Sequence, residues 1–114
     1  MVKKSAPARS EVLKGTLDML ILQTLTVQSM HGYGIAQHIE HLSEAVLSIE
    51  QGSLYPALER LQKKGWVKSK WGESPTGRRA RYYTITAAGQ RQLGEELSSF
   101  DRVLGAMNRI LHRA

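Results

Sequence analysis

Apolar residues recur at helical spacing in four stretches of the chain and in strict alternation in two. Leu13, Leu17, Leu20, Ile21 and Leu25 place one stripe on a helix over 11–27, and Val12, Met19 and Leu22 add apolar surface on its other sides. Such a helix buries two faces, one over a helical core and one against a further helix, from a second subunit. After a break at Ser29–Gly34 that holds two glycines, Ile35, Ile39 and Leu42 mark a short second helix, and 43–49 reads as a loop. Leu54, Leu58 and Leu61 line a third helix whose other side carries Gly52, Ser53, Pro56, Arg60 and Lys63. The last helix begins after Thr86, a good N-cap, and runs towards His112. Within it Leu93, Leu97, Phe100, Leu104, Met107 and Leu111 alternate spacings of four and three, the coiled-coil rhythm, and Val103 and Ile110 widen the seam. At about 40 Å, this helix is longer than so small a domain needs to close its own core, so the seam is expected to dimerise.

The alternating stretches follow the third helix. Val67, Ser69 and Trp71 share one side of a strand and Trp66, Lys68 and Lys70 the other; Arg81, Tyr83 and Ile85 alternate with Ala80, Tyr82 and Thr84 in the return strand. Gly72–Gly77 supplies the turn, and Gly65 suits the C-cap of the helix before. The start of the third helix has two readings. Ser48 with Gln51 has the form of a capping box, whereas Ser53 as N-cap puts Pro56 in the first turn, where its missing N–H costs no helical bond. The Ser53 start is preferred. The expected fold is α+β, mostly α: a winged helix-turn-helix over 11–86, a flexible basic arm over 1–10, and a long C-terminal dimerisation helix over 87–114.

Charge sharpens this picture. From Glu59 to Arg81, eight basic side chains against two acidic ones leave +6, which is also the net charge of all 114 residues. The positive field is thus focused on one helix end and its hairpin, a surface suited to a polyphosphate backbone. The chain has no Cys, which excludes disulfides, thiolate metal sites and Cys nucleophiles. The apolar run 19–22 is far too short to span a bilayer, and a cytoplasmic, non-membrane protein is expected. No nucleophile triad, phosphate-cradling glycine loop or carboxylate pair stands out, so no enzymatic activity is expected. His38 and His41 are three apart near Glu40 and Glu44, but further ligands at defined spacing are lacking and no metal or other cofactor is expected. Met19, Leu22, Phe100, Leu104 and Met107 are soft or aromatic residues on the first and last helices; between subunits they either pack dry or line a cleft for a small-molecule effector.

Several of these segments together resemble the PadR family of bacterial transcriptional regulators. They are 13–17 (Leu-Lys-Gly-Thr-Leu), 31–34 (His-Gly-Tyr-Gly), 52–58 (Gly-Ser-Leu-Tyr-Pro-Ala-Leu) with Leu61, then Gly65, Gly77-Arg78-Arg79, Tyr82-Tyr83 and 85–89 (Ile-Thr-Ala-Ala-Gly). The resemblance implies a homodimeric winged-helix repressor, relieved by an inducer in some members, with Tyr55 and Pro56 at the DNA-facing start of the third helix and Arg78 and Arg79 in the wing. Some drug-responsive members stack flat aromatic ligands on a Trp of the last helix; this chain has Phe100 and no Trp there. Charge, helical wheel and resemblance together make Gln51, Ser53, Tyr55, Pro56, Arg60, Lys63, Lys64, Lys68, Lys70, Arg78, Arg79 and Arg81 the candidate contacts to double-stranded DNA. Two rivals remain, a protein-interaction winged helix and an RNA binder that stacks bases on Trp66, Trp71, Tyr82 or Tyr83.

Overall fold

The computed structural model describes residues 16–113. The basic arm over 1–10 and the start of the first helix lie outside the described residues. Helix α1 is described over 16–25, followed by β1 (Met30–His31), α2 (Gly32–Leu42), α3 (Gln51–Lys63), β2 (Val67–Glu73), β3 (Arg79–Ile85) and α4 (Ala87–Leu111). The strands form one antiparallel sheet in the order β1-β3-β2. This is a winged helix-turn-helix carrying a long terminal helix.

The apolar stripes converge as their spacing requires. Leu17, Ile21, Leu22 and Leu25 of α1 meet Ile35 and Ile39 of α2, Leu54, Ala57, Leu58 and Leu61 of α3, and Val67, Tyr83 and Ile85 of the sheet. Thr24 is the one buried polar side chain among the described residues, and its hydroxyl donates to the Leu20 carbonyl at 2.9 Å, so it carries no unmet hydrogen bond into the core. Leu42, expected on the buried stripe of α2, is instead exposed at the last position of that helix.

The helix ends show how the chain turns between layers. His31 caps α2, its Nδ1 accepting from the Gly34 amide at 3.0 Å. At the C-terminus of α3 the Trp66 amide donates to the Leu61 carbonyl and the Gly65 amide to the Gln62 carbonyl, both at 3.0 Å. This is a Schellman motif with Gly65 in the left-handed conformation, φ +79°. Helix α2 ends in the same pattern, but Glu44 and Ala45 take the left-handed positions, φ 54° and 67°. Ser43 braces that turn, its hydroxyl accepting from the Leu47 amide at 3.0 Å.

The start of α3 corrects the preferred reading. The helix begins at Gln51 with Glu50 as N-cap, the Leu54 amide donating to the Glu50 carbonyl at 2.9 Å, and neither Ser48 nor Ser53 is the cap. Pro56 therefore lies inside the helix, in its second turn. The proline withholds one bond from the Gly52 carbonyl, and because Gly52 is exposed with open space around it, water can replace that bond.

Thr86 caps α4. Its hydroxyl accepts from the Gly89 amide at 3.0 Å and donates to the Gly65 carbonyl at 2.7 Å, while its own amide donates to the Trp66 carbonyl. These bonds press the first turn of α4 against the end of α3. Leu93 reaches the core, 6% exposed, and beyond it α4 leaves the domain. The radius of gyration is 15.6 Å, where a compact chain of this length has about 13 Å.

Candidate nucleic-acid interface

With Leu54, Ala57, Leu58 and Leu61 buried, 100° per residue puts Gly52, Pro56, Glu59 and Lys63 at the centre of the exposed face of α3. Ser53, Arg60 and Lys64 flank this face on one side, Gln51 and Tyr55 on the other. Glu50 makes no side-chain capping bond; the Ser53 amide donates to the Glu50 carbonyl at 3.0 Å, which leaves the Gln51 and Gly52 N–H groups for an outside acceptor such as a phosphate. Tyr55 is held against the first residue of α2. A Cβ on Gly32 would come within 2.5 Å of the Tyr55 hydroxyl, so a larger residue there would displace the Tyr55 ring from this position. Beside this contact a shallow cleft of about 240 Å³ opens between Tyr33, Gln37 and Glu40 of α2 and Gln51 and Tyr55 of α3.

The basic residues expected to act together are held in three different ways. Arg60 is tied back to α1, its Nη2 donating to Asp18 Oδ1 at 2.7 Å, and this is the ion pair found among the described residues. Its charge is thereby offset. Lys64 lies over the Trp66 ring, 4.9 Å from the centroid. Arg79 and Arg81 both stack on Trp71, at 4.7 and 5.4 Å.

The strand register sorts the wing into two faces. Trp71 pairs with Arg81, Ser69 with Tyr83 and Val67 with Ile85, so these share one face. Near the body that face packs on α3, with the Ser69 hydroxyl donating to Gln62 Oε1 at 3.2 Å. Arg79, Arg81 and Trp71 therefore continue the α3-facing side of the wing outward. Lys68 and Lys70 alternate to the opposite face, where Tyr82 covers Gly72 and donates to the Glu73 carbonyl at 3.1 Å. The twelve candidate residues thus do not form one continuous surface. At the tip, the Gly77 amide donates to the Ser74 carbonyl at 2.8 Å and the Ser74 amide to the Arg78 carbonyl at 2.7 Å. Pro75 and Gly77, with φ +88°, suit this turn, which leaves Arg78 exposed at its end.

Tyr83 reports on the junction between helix and wing. Burial pushes its phenol above the usual range, Arg81 pulls it down, and Tyr55 and Glu59 push it up again, which puts all three within electrostatic reach. Three residues of this region were not among the expected contacts. Asp18 pairs with Arg60 and Trp71 holds Arg79 and Arg81, while Glu59 lies within electrostatic reach of Tyr83, and only the register of the hairpin hinted at Trp71.

The cleft expected from Met19, Leu22, Phe100, Leu104 and Met107 is corrected in part. Leu22 has no exposure and Met19 is buried, both spent on the domain core, so neither lines an opening. Phe100, Leu104 and Met107 remain exposed on α4. Among the described residues there is no group of three His, Asp or Glu that could hold a metal ion, and no helix long and apolar enough to cross a membrane.

Comparison with known proteins agrees with this geometry. A transcriptional regulator from Clostridium thermocellum superposes with a TM-score of 0.80 at 29% identity, over 87% of this chain and 96% of the other. A PadR-like transcriptional regulator from Bacillus cereus gives 0.78 at 29% identity, over 91% and 99%. A PadR family regulator from Eggerthella lenta gives 0.79 at 26%, over 96% and 94%. An uncharacterised protein of Lysinibacillus sphaericus is 30% identical over 95 residues, 83% of this chain and 87% of its own length. The PadR-like family of transcriptional regulators matches residues 21–95, and with the winged helix and the basic wing in place the chain belongs to that family, as a DNA-binding regulator and not an enzyme.

Proposed function

We propose that the chain acts as a homodimeric repressor that binds a palindromic operator through α3 and the α3-facing side of its wing. The observation that carries this reading is the pair Arg79 and Arg81, held on the side of the wing next to α3 and ion-paired with no carboxylate among the described residues. Gly52, Ser53 and Pro56 keep the start of α3 thin, so that its backbone can approach base edges in a major groove. Lys63 and Arg78 supply phosphate contacts, and Lys68 and Lys70 a weaker field from the other face of the wing. Glu59, exposed in the middle of α3, repels phosphate and suits a cytosine amino group instead.

The exposed seam of α4 supports the dimer. Leu97, Phe100, Leu104 and Met107 leave an apolar stripe on a helix that stands clear of its own domain, and a second copy would bury it. A two-fold axis there would space two α3 helices for successive major grooves, about 34 Å apart. Control by a small effector, if the protein has it, falls to Phe100, Leu104 and Met107 at this seam.

The test is binding to a duplex taken from the DNA upstream of the protein's own gene. Binding tighter than to random duplex, and lost on single strands or double-stranded RNA, supports the reading. Equal binding to all of these would defeat it, as would preference for a protein partner over DNA.

A further inference from the structure

The two arginine arrangements of this molecule solve the same problem in opposite ways. A guanidinium on a long side chain loses rotamer freedom when it is ordered, so an ordered arginine needs a partner. Arg60 finds one in Asp18, at 2.7 Å, and gives up its charge to the outside in doing so. On the wing, Arg79 stands in register opposite Glu73, where a carboxylate could have done the same. It does not pair with it. Instead the Arg79 guanidinium lies 4.7 Å from the centroid of Trp71, one step diagonally along the same face, and Arg81, directly opposite Trp71, lies at 5.4 Å.

Stacking on an indole differs from pairing with an acid in what it leaves free. The attraction uses the ring quadrupole, so the full positive charge and the N–H donors stay available to a further partner. Trp71 is 55% exposed, beyond the last buried positions of its strand face, Val67 and Tyr83, so it contributes little to the core. Its large apolar surface is unexplained by folding. Strand geometry sets Arg79 and Arg81 about 6.7 Å apart along β3, on one face, with the same ring holding both.

We propose that Trp71 is a positioning residue of the DNA interface: its indole holds Arg79 and Arg81 as an ordered, unneutralised pair for the sugar-phosphate backbone of a duplex. This rests on the reading of the wing given above, and assigns the arginines' order to one side chain that need not touch DNA.

A double-mutant cycle on the intact chain tests it, with a labelled duplex from the upstream DNA and a salt series. Trp71→Ala is expected to weaken binding about three- to ten-fold while leaving the salt slope close to the parent's, because the charges remain and only their order is lost. In an Arg79→Ala/Arg81→Ala background, Trp71→Ala is expected to change nothing further. Trp71→Phe, which keeps an aromatic face, restores most of the affinity, and Trp71→Leu, apolar but without one, does not. Trp66 fluorescence and a thermal melt check that each variant folds. The proposal is overturned if Trp71→Ala binds like the parent, if its loss is undiminished without the arginines, which would make the indole a direct contact, or if leucine restores binding as well as phenylalanine. Should the arginine pair itself prove dispensable for duplex binding, both this proposal and the assignment of the wing fall; if only the Trp71 variants behave like the parent, this proposal falls alone.

Discussion

Gly89 and Tyr83 are the residues on which packing and charge make the sharpest demands. A Cβ on Gly89 would overlap the Trp66 carbonyl oxygen and press on Ile85, because Thr86 has drawn the first turn of α4 onto the end of α3. Backbone cannot yield as a side-chain tip can. Gly89→Ala is therefore expected to destabilise the fold by about 1–3 kcal/mol in denaturant unfolding, despite the better helix propensity of alanine. Tyr83 gives a dependence on pH. Burial raises its phenol above the ordinary value near 10.0, against the pull of Arg81. The folded chain then keeps a proton that the unfolded chain releases, so this contribution to stability is complete below pH 10 and is lost as the pH climbs through the folded value. Unfolding free energies measured between pH 8 and pH 11, chosen to span about that range, should fall at the alkaline end, and Tyr83→Phe should flatten the decline. An unchanged alkaline decline in the phenylalanine variant would assign it to other groups.

The elements were legible where periodicity runs long. Three core stripes, the hairpin strands, the cap at Thr86 and the long terminal helix are all written in the spacing of apolar residues and the placement of one or two small ones. What was hidden is short-range in sequence but set by distant partners. Strand β1 spans two residues, too few to alternate, and exists because Met30 and His31 pair with Tyr83 and Tyr82. Helix α3 starts three residues before the start preferred from the sequence, with Glu50 and not Ser53 as N-cap, and the carbonyl that Pro56 leaves without a helical bond, that of Gly52, is exposed to water. In the sequence Leu22 lies off the main stripe of α1 and reads as free to line a cleft, yet α1 is surrounded closely enough to bury it. Helix α4 gives the prediction at this scale. Its stripe from Leu97 onward has no cover within the described chain, so Leu97→Asp with Leu104→Asp should convert a dimer to a monomer in sedimentation while leaving the winged domain folded. A parent that sediments as a monomer at micromolar concentration would contradict the dimer.

Across the whole molecule, the net charge of +6 is less informative than how its parts are held. The candidate contacts were legible as residue types, from charge and the helical wheel. Their division was not, because it depends on strand register and on neighbours such as Asp18 and Trp71 far away in sequence. Arg60 is paired, Lys68 and Lys70 face away from α3, and Arg79 and Arg81 stand next to it with their charge intact. The central claim is that this last pair, with α3, meets the DNA backbone. Its most direct test is the salt dependence of duplex binding, by fluorescence anisotropy, for the parent and for Arg79→Ala/Arg81→Ala. Two lost phosphate contacts should flatten the slope of log K against log salt by about two units and weaken specific and random duplexes alike. A double variant that keeps the parent's slope and affinity would contradict the account.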